Sequence, residues 1–420
     1  MTRLLICLTF LCSATAFSAD TKAIRLNVAA DGSAHFRSIQ AALDDQSSRQ
    51  TVPLIITVKN GLYQEQVFIR RSRVSIVGQD KDRTRIVFPV LREAWRASHQ
   101  GSDWGAGVVN IDTGVTDITL ANLTIYNDEG GLYGDYNTHQ FAIRGAGTRI
   151  MLLHCAVISD GGDALSLWNR EEGMYYHADC DFEGWVDYVC PRGWCYITTS
   201  RFFGHNTESA SLWHDGSAER RQKLVIRDSR FDGCAGFPLG RNHRDGQVYL
   251  VNCRFSANMA DRPFYRPPSS QTPWVWGDRH YFFNCHRDGG DYSWFADNLS
   301  SADGSPGERD VTARWAFDGR WDPEAQPPSI LPYASFPVPK QNSRVKGSAS
   351  TVLRWTPGLD AVAHSVYFGA ADPPPHVATQ QTDSLLLAGL QAGVRYYWRV
   401  DELTPSDTIR GAQWNFSLSD

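Results

Sequence analysis

The stretches Asp228-Ser229-Arg230-Phe231 and Asn252-Cys253-Arg254-Phe255 are two copies of one short motif in the middle of the chain. Each copy joins a polar residue, a small Ser or Cys, a second polar residue and a Phe. Looser copies begin at His154, Asp179, Thr199 and Asn284. The small residue recurs at steps of 25, 20, 29, 24 and 32 residues, and self-similarity at such a period indicates stacked supersecondary units.

A short β-type run precedes the copies, as at residues 224–227 and 247–251. Short strands at this spacing, with no helical pattern between them, predict an all-β fold, a right-handed parallel β-helix. Alternate side chains then point inward, and equivalent positions on successive coils stack into ladders. Because a free Cys behaves as a small hydrophobe, we expect the Cys of the motif in the core rather than in a metal or redox site. These are Cys155, Cys180, Cys253 and Cys285.

The pattern changes at both ends of the predicted solenoid. Apolar residues at 36, 39 and 43 have helical spacing and predict a helix that caps the open end of the stack. Between residues 323 and 339 there are six Pro, which indicates a stiff linker. The strands beyond it fit a small β-sandwich. We therefore predict a β-helical domain at 23–322, a linker at 323–342 and a β-sandwich at 343–420.

The first 19 residues are typical of a secretory signal peptide. Arg3 supplies the positive start, a short apolar core runs from Leu4 to Cys12, and small residues around Ala16 offer cleavage sites. The alternative is a buried N-terminal helix. A membrane span is excluded, because the apolar run is too short to cross a bilayer. We expect a secreted or periplasmic protein without a membrane span.

The net charge limits the classes of partner that the protein can bind, and the cysteine count limits the disulfides that it can form. The formal net charge of −5 argues against a nucleic-acid partner, but a local Arg cluster can still bind an anionic polysaccharide. Seven Cys follow the predicted signal peptide, so at least one is unpaired within the chain. Cys190 and Cys195 have four residues between them and are not a CxxC element. Whether they bridge a tight loop stays open from the sequence.

Three short segments carry the candidate chemistry. Asp163 follows Gly161-Gly162, Asp187 lies in an apolar and aromatic run at residues 182–189, and Arg241 follows Leu239-Gly240. Two carboxylates and a guanidinium are what a metal-free ester hydrolase with an Asp nucleophile needs. One carboxylate attacks, the other shuttles the proton, and the Arg keeps the attacking group ionised.

With these segments, residues 25–320 resemble carbohydrate esterase family 8, the pectin methylesterases. The similar segments, in the family's order, are residues 30–33, 38–42, 61–65 and 119–125, then Gln140-Phe141-Ala142-Ile143-Arg144, Gly162-Asp163-Ala164-Leu165, residues 183–188 and Leu239-Gly240-Arg241. The C-terminal segment resembles a fibronectin type III domain more weakly. The resemblance implies a monomeric esterase that releases methanol from a methyl-esterified uronic acid polysaccharide, with no metal or other cofactor.

The resemblance also implies a role for each motif. Asp187 takes the place of the nucleophile, Asp163 that of the general acid/base, and Arg241 that of the Arg bracing the nucleophile. Gln140 takes the place of one donor to the oxyanion. Physical chemistry agrees for the nucleophile, because burial alone would raise its pKa and a nearby Arg opposes that rise.

The sequence departs from the family's pattern at two positions. The residue before the acid/base is Gly162, where the family has a Gln as the second oxyanion donor. Arg241 is followed by Asn242-His243 where the family has Pro-Trp, which removes an expected sugar-stacking Trp. The substrate-binding candidates are Trp185, Tyr188, Trp213 and His243.

Three other interpretations stay open. The two Asp residues could be ordinary turn residues, and the departures favour a glycan-binding β-helix that has lost its chemistry. A β-helix polysaccharide lyase is the other alternative, although the sequence lacks the acidic cluster such an enzyme uses for calcium. The segment Trp213-His214-Asp215 does not indicate a serine triad, because no Ser stands in a nucleophile elbow.

Overall fold

The structure is a computed structural model that describes residues 23–46, 51–268, 270, 274–346 and 350–419. The predicted signal peptide at 1–19 lies outside these residues. The helices are α1 (Ile39–Asp45), α2 (Arg92–Ser98), α3 (Glu129–Tyr133) and α4 (Ala313–Ala316), with short 3₁₀ turns at Leu299–Ser301 and Glu308–Asp310. No helix in the described part of the chain combines the length and the apolar character that crossing a membrane requires.

Most of the described residues before 290 wind through three parallel sheets. Sheet A has ten strands: β1 (Ile24–Val28), β2 (Leu54–Val58), β5 (Val74–Gly78), β8 (Thr116–Ala121), β11 (Thr148–Leu153), β14 (Met174–Ala178), β16 (Trp194–Thr198), β19 (Leu224–Arg227), β22 (Val248–Val251) and β24 (His280–Phe283). Sheet B has nine: β3 (Gly61–Tyr63), β6 (Thr84–Val87), β9 (Thr124–Asn127), β12 (Ala156–Ser159), β15 (Asp181–Gly184), β17 (Arg201–Gly204), β20 (Arg230–Gly233), β23 (Arg254–Phe255) and β25 (His286–Arg287).

Sheet C completes each coil and is the face that matters for function. Its strands are β4 (Val67–Ile69), β7 (Gly107–Ile111), β10 (Phe141–Gly145) and β13 (Leu165–Leu167), followed by the pair β18 (Leu212–Trp213) and β21 (Gly240–Arg241). Single parallel bridges through Val189 join β13 to β18. In several coils, successive strands of one sheet are separated along the chain by one strand of each other sheet, and the predicted parallel β-helix is confirmed.

The repeated motif forms the corner between sheets A and B. Its first, polar residue has a positive φ in every copy, for example +56° at Asp179, +53° at Asp228 and +55° at Asn252. Asp and Asn tolerate this left-handed conformation better than most residues, and it turns the chain from one sheet into the next. The polar position of the motif is therefore set by the backbone of the corner.

The small and aromatic positions of the motif build the core. The four motif cysteines are buried and free, as predicted, and Ser200 and Ser229 occupy the same ladder. The Phe residues stack on one another, with ring centroids of Phe202 and Phe231 4.2 Å apart. Cys190 and Cys195 are also buried and free, which settles the open disulfide question in the structure.

Helix α1 covers the N-terminal end of the coil. It begins later than the spacing at 36–43 predicts, because the Ser38 side chain accepts a hydrogen bond from the backbone of Ala41 and caps the helix there. Ile39, Ala42 and Leu43 are buried, in the same core cluster as the first strands. The capping role is therefore confirmed with a shift of three residues.

The last part of the chain is antiparallel. One sheet contains β26 (Ser335–Val338), β28 (Ser350–Thr356) and β31 (Ser384–Ala388). The other contains β27 (Ser343–Lys346), β29 (Ala363–Gly369), β30 (His376–Gln380), β32 (Arg395–Leu403), β33 (Thr408–Ile409) and β34 (Gln413–Ser419), where only β27 pairs in parallel with β34. This sandwich-like region has its own buried cluster around Trp355 and Trp398. Its likeness to a fibronectin type III domain stays a prediction.

The predicted linker is packed against the solenoid. Ile330 and Leu331 are buried in a cluster with outward-facing residues of sheet A, and Tyr333 packs against the same cluster. The Tyr333 hydroxyl donates to the Asn122 side chain at 3.4 Å, while β26 already belongs to the antiparallel sheet. The domain boundaries stay a prediction, but residues 330–336 contact both parts.

Candidate active site

The three chemically interesting segments meet at one open cavity of about 270 Å³ beside sheet C. Asp163, Asp187 and Arg241 line it, together with the predicted binding residues Trp213 and His243. Each comes from a different coil at nearly the same level. Stacking of the coils therefore brings together residues that lie up to 80 positions apart in the sequence.

Asp187 and Arg241 form a two-point ion pair. Arg241 Nη2 donates to Asp187 Oδ2 at 2.7 Å, and Arg241 Nε donates to Oδ1 at 3.0 Å. The side chains are only 12% and 21% exposed for Asp187 and Arg241, so solvent screens the pair weakly. Burial raises the pKa of Asp187, and the Arg241 guanidinium opposes that rise.

Asp163 differs from Asp187 because no described residue holds it in an ion pair. Burial raises its pKa, the negative charge of Asp187 raises it further, and Arg92 is the first of several guanidinium groups that oppose the rise. The pKa is raised further for Asp163 than for Asp187. Two nearby carboxylates with pKa values pushed apart can provide one proton donor and one nucleophile.

Both Asp residues have a left-handed backbone. Their φ angles are +59° at Asp163 and +49° at Asp187. Such a conformation costs free energy in a residue other than Gly and is found preferentially at functional sites. The two Asp residues lie at equivalent positions on successive coils, where the chain enters sheet C. The backbone hydrogen bond from Asp163 N–H to Val186 O joins the two coils at this level.

The proposed oxyanion donor Gln140 is committed elsewhere in the structure. Its Nε2 donates to Asp135 O at 2.6 Å and to Thr138 Oγ1 at 2.8 Å, while its Oε1 accepts from Gly130 N at 3.0 Å. The side chain is buried and does not line the cavity. Both amide hydrogens are used by the loop at 130–138, so in this arrangement none points at a substrate.

Gly162 is too tightly packed to carry a side chain. A Cβ atom there would lie 2.6 Å from Val186 Cγ1 and 2.7 Å from the backbone oxygen of Val186. Distances below 3.0 Å require something to move, and backbone moves least. The contact with Val186 thus leaves no room for a Gln at this position in this structure.

The predicted binding role of Tyr188 is wrong. Its side chain is fully buried in the main core cluster, where the turn after β15 directs it inward beside Val189. Trp185 does not line the cavity either; it stacks on His205 with ring centroids 5.6 Å apart and packs near Tyr136 at 5.7 Å. Trp213 and His243 do line it, and the Trp213 indole donates to His243 Nδ1 at 3.0 Å.

Half of the cavity wall consists of residues that were not among the predicted site residues. The missed residues are Arg92, His139, Trp168, Cys190 and Arg192. Trp168 and Arg192 bridge each other in sheet C, and each lies five positions after one of the two Asp residues. That shared offset was a readable signal, whereas Arg92 and His139 come from segments outside the repeat.

The described residues contain no group of three or more His, Cys, Asp and Glu side chains arranged to hold a metal ion. The prediction that the chemistry needs no metal stays a prediction.

His139, on the cavity wall, has a lowered pKa because of burial and the nearby Arg92 charge, so it is a neutral imidazole at pH 7.

Comparison with known proteins agrees with the geometry. The family model described as Pectinesterase matches residues 25–212. A solved pectin methylesterase from Erwinia chrysanthemi is 18% identical, with 71% of this chain and 98% of that chain covered and a TM-score of 0.57. The pectin methylesterase from Aspergillus niger is 19% identical, with 67% of this chain and 90% of that chain covered and a TM-score of 0.52. The enzyme from carrot is 16% identical, with 66% of this chain and 86% of that chain covered and a TM-score of 0.51. No match was found among curated proteins.

At these identities the solved structures establish the fold, and the family match supplies the relationship. The matched segment includes Asp163 and Asp187 but ends at residue 212, before Arg241. The family match over residues 25–212 and the shared parallel β-helix make this chain similar to the pectinesterases, which are carboxylic ester hydrolases.

Proposed function

We propose that this protein is an exported carbohydrate esterase that hydrolyses methyl esters of a pectin-like uronic acid polysaccharide. The observation that carries the proposal is the arrangement of Asp187, Asp163 and Arg241 around one cavity. One carboxylate is held ionised by a two-point guanidinium contact. The other carries no ion pair and has the higher pKa of the two.

In the first half of the reaction, the Asp187 carboxylate attacks the ester carbonyl carbon. Negative charge develops on the carbonyl oxygen, and the tetrahedral intermediate then expels the methoxy group. Asp163, protonated at neutral pH, donates its proton to the leaving oxygen, so methanol departs as a neutral molecule. The product on the enzyme is a mixed anhydride between Asp187 and the uronate.

In the second half, Asp163 is a carboxylate and accepts a proton from water. The resulting hydroxide attacks the uronate carbonyl carbon of the anhydride, the bond to Asp187 breaks, and the uronic acid leaves and loses its proton to solvent. Asp163 again holds a proton, which restores the starting state. Arg241 keeps Asp187 ionised at the start and stabilises it as a leaving group at the end.

The decisive experiment is methanol release from a methyl-esterified uronate polymer by the wild-type protein and by Asp187→Asn. The substitution keeps the shape and removes the charge, and we expect methanol release to fall by several orders of magnitude. Asp179→Asn is a matched control, since Asp179 has a similar positive φ of 56° but lies on the exposed corner beside His154. Near-normal activity of Asp187→Asn would exclude the proposed nucleophile.

The main alternative is a glycan-binding β-helix without esterase activity. The commitment of Gln140 to its own loop and the absence of a side chain at Gly162 favour it. The same assay separates the two, because such a protein would bind the polymer and release no methanol. Appearance of an unsaturated uronide in place of methanol would indicate a lyase instead.

A further inference from the structure

We propose that Arg92 stabilises the oxyanion that forms at the ester carbonyl, in place of the two amides of the family's pattern. This inference rests on the proposed function, because it assumes that Asp187 attacks an ester. It adds a catalytic residue from helix α2, which lies outside the repeated coil and outside every segment that resembles the family. It also accounts for the strongest observation against esterase activity, the loss of both amide donors.

Helix α2 places Arg92 beside the two positions at which the family carries its amides. The backbone N–H of Arg92 donates to His139 O at 3.0 Å, and His139 directly precedes the first of these positions. His139 also forms a parallel bridge with Gly162, which is the second position and directly precedes Asp163. Arg92 therefore reaches the cavity from the N-terminal coils, whereas Arg241 reaches it from a later coil.

The Arg92 guanidinium acts on Asp163 through its charge. Burial raises the pKa of Asp163, the Asp187 charge raises it further, and Arg92 comes first among the guanidinium groups that oppose the rise. The ester must lie between the two carboxylates, because one attacks it and the other protonates its leaving oxygen. A cation beside Asp163, on the side away from Arg241, can therefore face the carbonyl oxygen as that oxygen becomes negative.

Two carboxylates hold Arg92 in place and leave donors for a ligand. Its Nε donates to Asp103 Oδ1 at 2.9 Å, its Nη2 to Asp103 Oδ2 at 3.5 Å and its Nη1 to Glu93 Oε1 at 3.3 Å. A guanidinium has five N–H groups, so two take no part in these bonds. Asp103 also accepts from Arg96 at 2.8 Å, so its negative charge is shared between two cations. A donor fixed in this way costs no reorganisation when the oxyanion forms.

Two other polar groups on the cavity wall are already engaged. The neutral imidazole of His139 donates through Nδ1 to Glu93 Oε1 at 3.1 Å, which leaves Nε2 as an acceptor that cannot stabilise an anion. The Trp213 indole N–H donates to His243 Nδ1 at 3.0 Å. Neither group can therefore replace the amides.

Three further donors lie in an outward row that is displaced from the reacting atoms. Trp168 and Arg192 bridge each other in this row, and His243 continues it on a later coil. The row lies three residues beyond the Leu165–Val189 bridge. At about 3.3 Å per residue this offset is roughly 10 Å of backbone. The donor to the oxyanion is therefore expected from helix α2.

The experiment compares methanol release from a methyl-esterified uronate oligomer by wild type, Arg92→Met and Arg92→Lys. Loss of an oxyanion donor should lower kcat of Arg92→Met about 100–1,000-fold. KM should change little, because the oxygen carries no charge in the bound ester. Arg92→Lys keeps the charge without the fork and should lose less. Asp103 keeps Arg96 as its partner in both variants, so neither leaves this carboxylate without a cation.

Arg96→Met is the matched control. Arg96 belongs to the same helix and binds the same Asp103, but it does not line the cavity. We expect its kcat to stay near that of wild type. An equal fall in kcat for Arg96→Met would show that helix α2 has only a structural role and would overturn the proposal. Near-normal kcat of Arg92→Met, or a raised KM at unchanged kcat, would overturn it as well.

A second readout avoids catalysis. A uronate oligomer with a tetrahedral, anionic phosphonate in place of the ester is titrated calorimetrically into wild type and Arg92→Met. This analogue carries the charge of the intermediate, and we expect the variant to bind it about 100-fold more weakly. Equal binding would overturn the proposal. Absence of methanol release by wild type would refute the esterase, and weaker phosphonate binding by Arg92→Met would then still identify Arg92 as an oxyanion-binding residue.

Discussion

Replacing Arg241 with Met should move the acid limb of the pH–rate profile to higher pH. The substitution leaves Asp187 buried without its cation. Breaking a buried pair costs about 3–5 kcal/mol, and the partial exposure of Arg241 argues for the lower end. Since about 1.4 kcal/mol corresponds to one pKa unit, about 3 kcal/mol would raise the pKa of Asp187 by roughly two. At pH 7 a rise of the Asp187 pKa from about 6 to about 8 should lower the ionised fraction of the nucleophile, and with it kcat/KM, about 10-fold.

The assay is methanol release between pH 4 and pH 10. The nucleophile must be ionised, so activity rises as pH increases through the pKa of Asp187, and Arg241→Met should recover as pH is raised. Arg241→Lys keeps the charge but loses the two-point contact, and its acid limb should move by less than one pH unit. Reduced kcat with an acid limb at the wild-type pH would refute the reasoning, because Arg241 would then act on the substrate rather than on the ionisation of Asp187.

Three further results are expected. Asp163→Asn should raise the free energy of unfolding more at pH 8 than at pH 4. Burial raises the pKa of Asp163 in the folded protein, so the wild-type protein loses stability as pH rises above the pKa of this group in the unfolded chain. The amide of the variant does not titrate and loses no stability in this way. Denaturant titration at the two pH values checks this, and an equal change at both would contradict the raised pKa. Dialysis against EDTA should leave methanol release unchanged, and a loss restored by calcium or zinc would reopen the lyase or metallo-hydrolase interpretation. Truncation after residue 342 should leave kcat on a short oligomer within about twofold. Truncation after residue 320 should destabilise the β-helix, because it removes Ile330 and Leu331 from the surface of sheet A. A large fall in kcat for the folded variant that ends at residue 342 would show that the sandwich contributes to the cavity.

The fold could be predicted from the sequence because the motif encodes a local backbone event. A polar residue with positive φ, then a small residue, then an inward Phe describes a corner between two strands, as at Asp228, Ser229 and Phe231. This event repeats once per coil, and parallel stacking of the coils follows from it. No long-range contact had to be predicted separately, which is why the parallel β-helix and the buried cysteines agree with the prediction.

The site could be predicted only where it uses the same repeat. Asp163 and Asp187 occupy equivalent entries into sheet C, and Arg241 lies in the same sheet two coils further on, so their convergence follows from the stacking. The position of Gln140 does not follow, because its hydrogen bonds are to a loop whose course depends on contacts outside the repeat. The burial of Tyr188 does not follow either, because it lies in the turn after β15, where no strand periodicity indicates which way a side chain points.

The same architecture explains how the cavity could diverge while the coil stayed recognisable. Strand register is fixed by inward ladders such as the stacked Phe residues, which an outward substitution does not touch. In the outward row, successive coils carry Trp168, Arg192 and Asp215, three residues of unrelated chemistry on equivalent backbone. A guanidinium can therefore stand at 192 with no change in the path of the chain, whereas Gly162 is dictated by its close contact with Val186. This chain therefore shares its fold with the solved esterases although the sequences are only 16–19% identical. Their similarity says least about the residues that select the substrate.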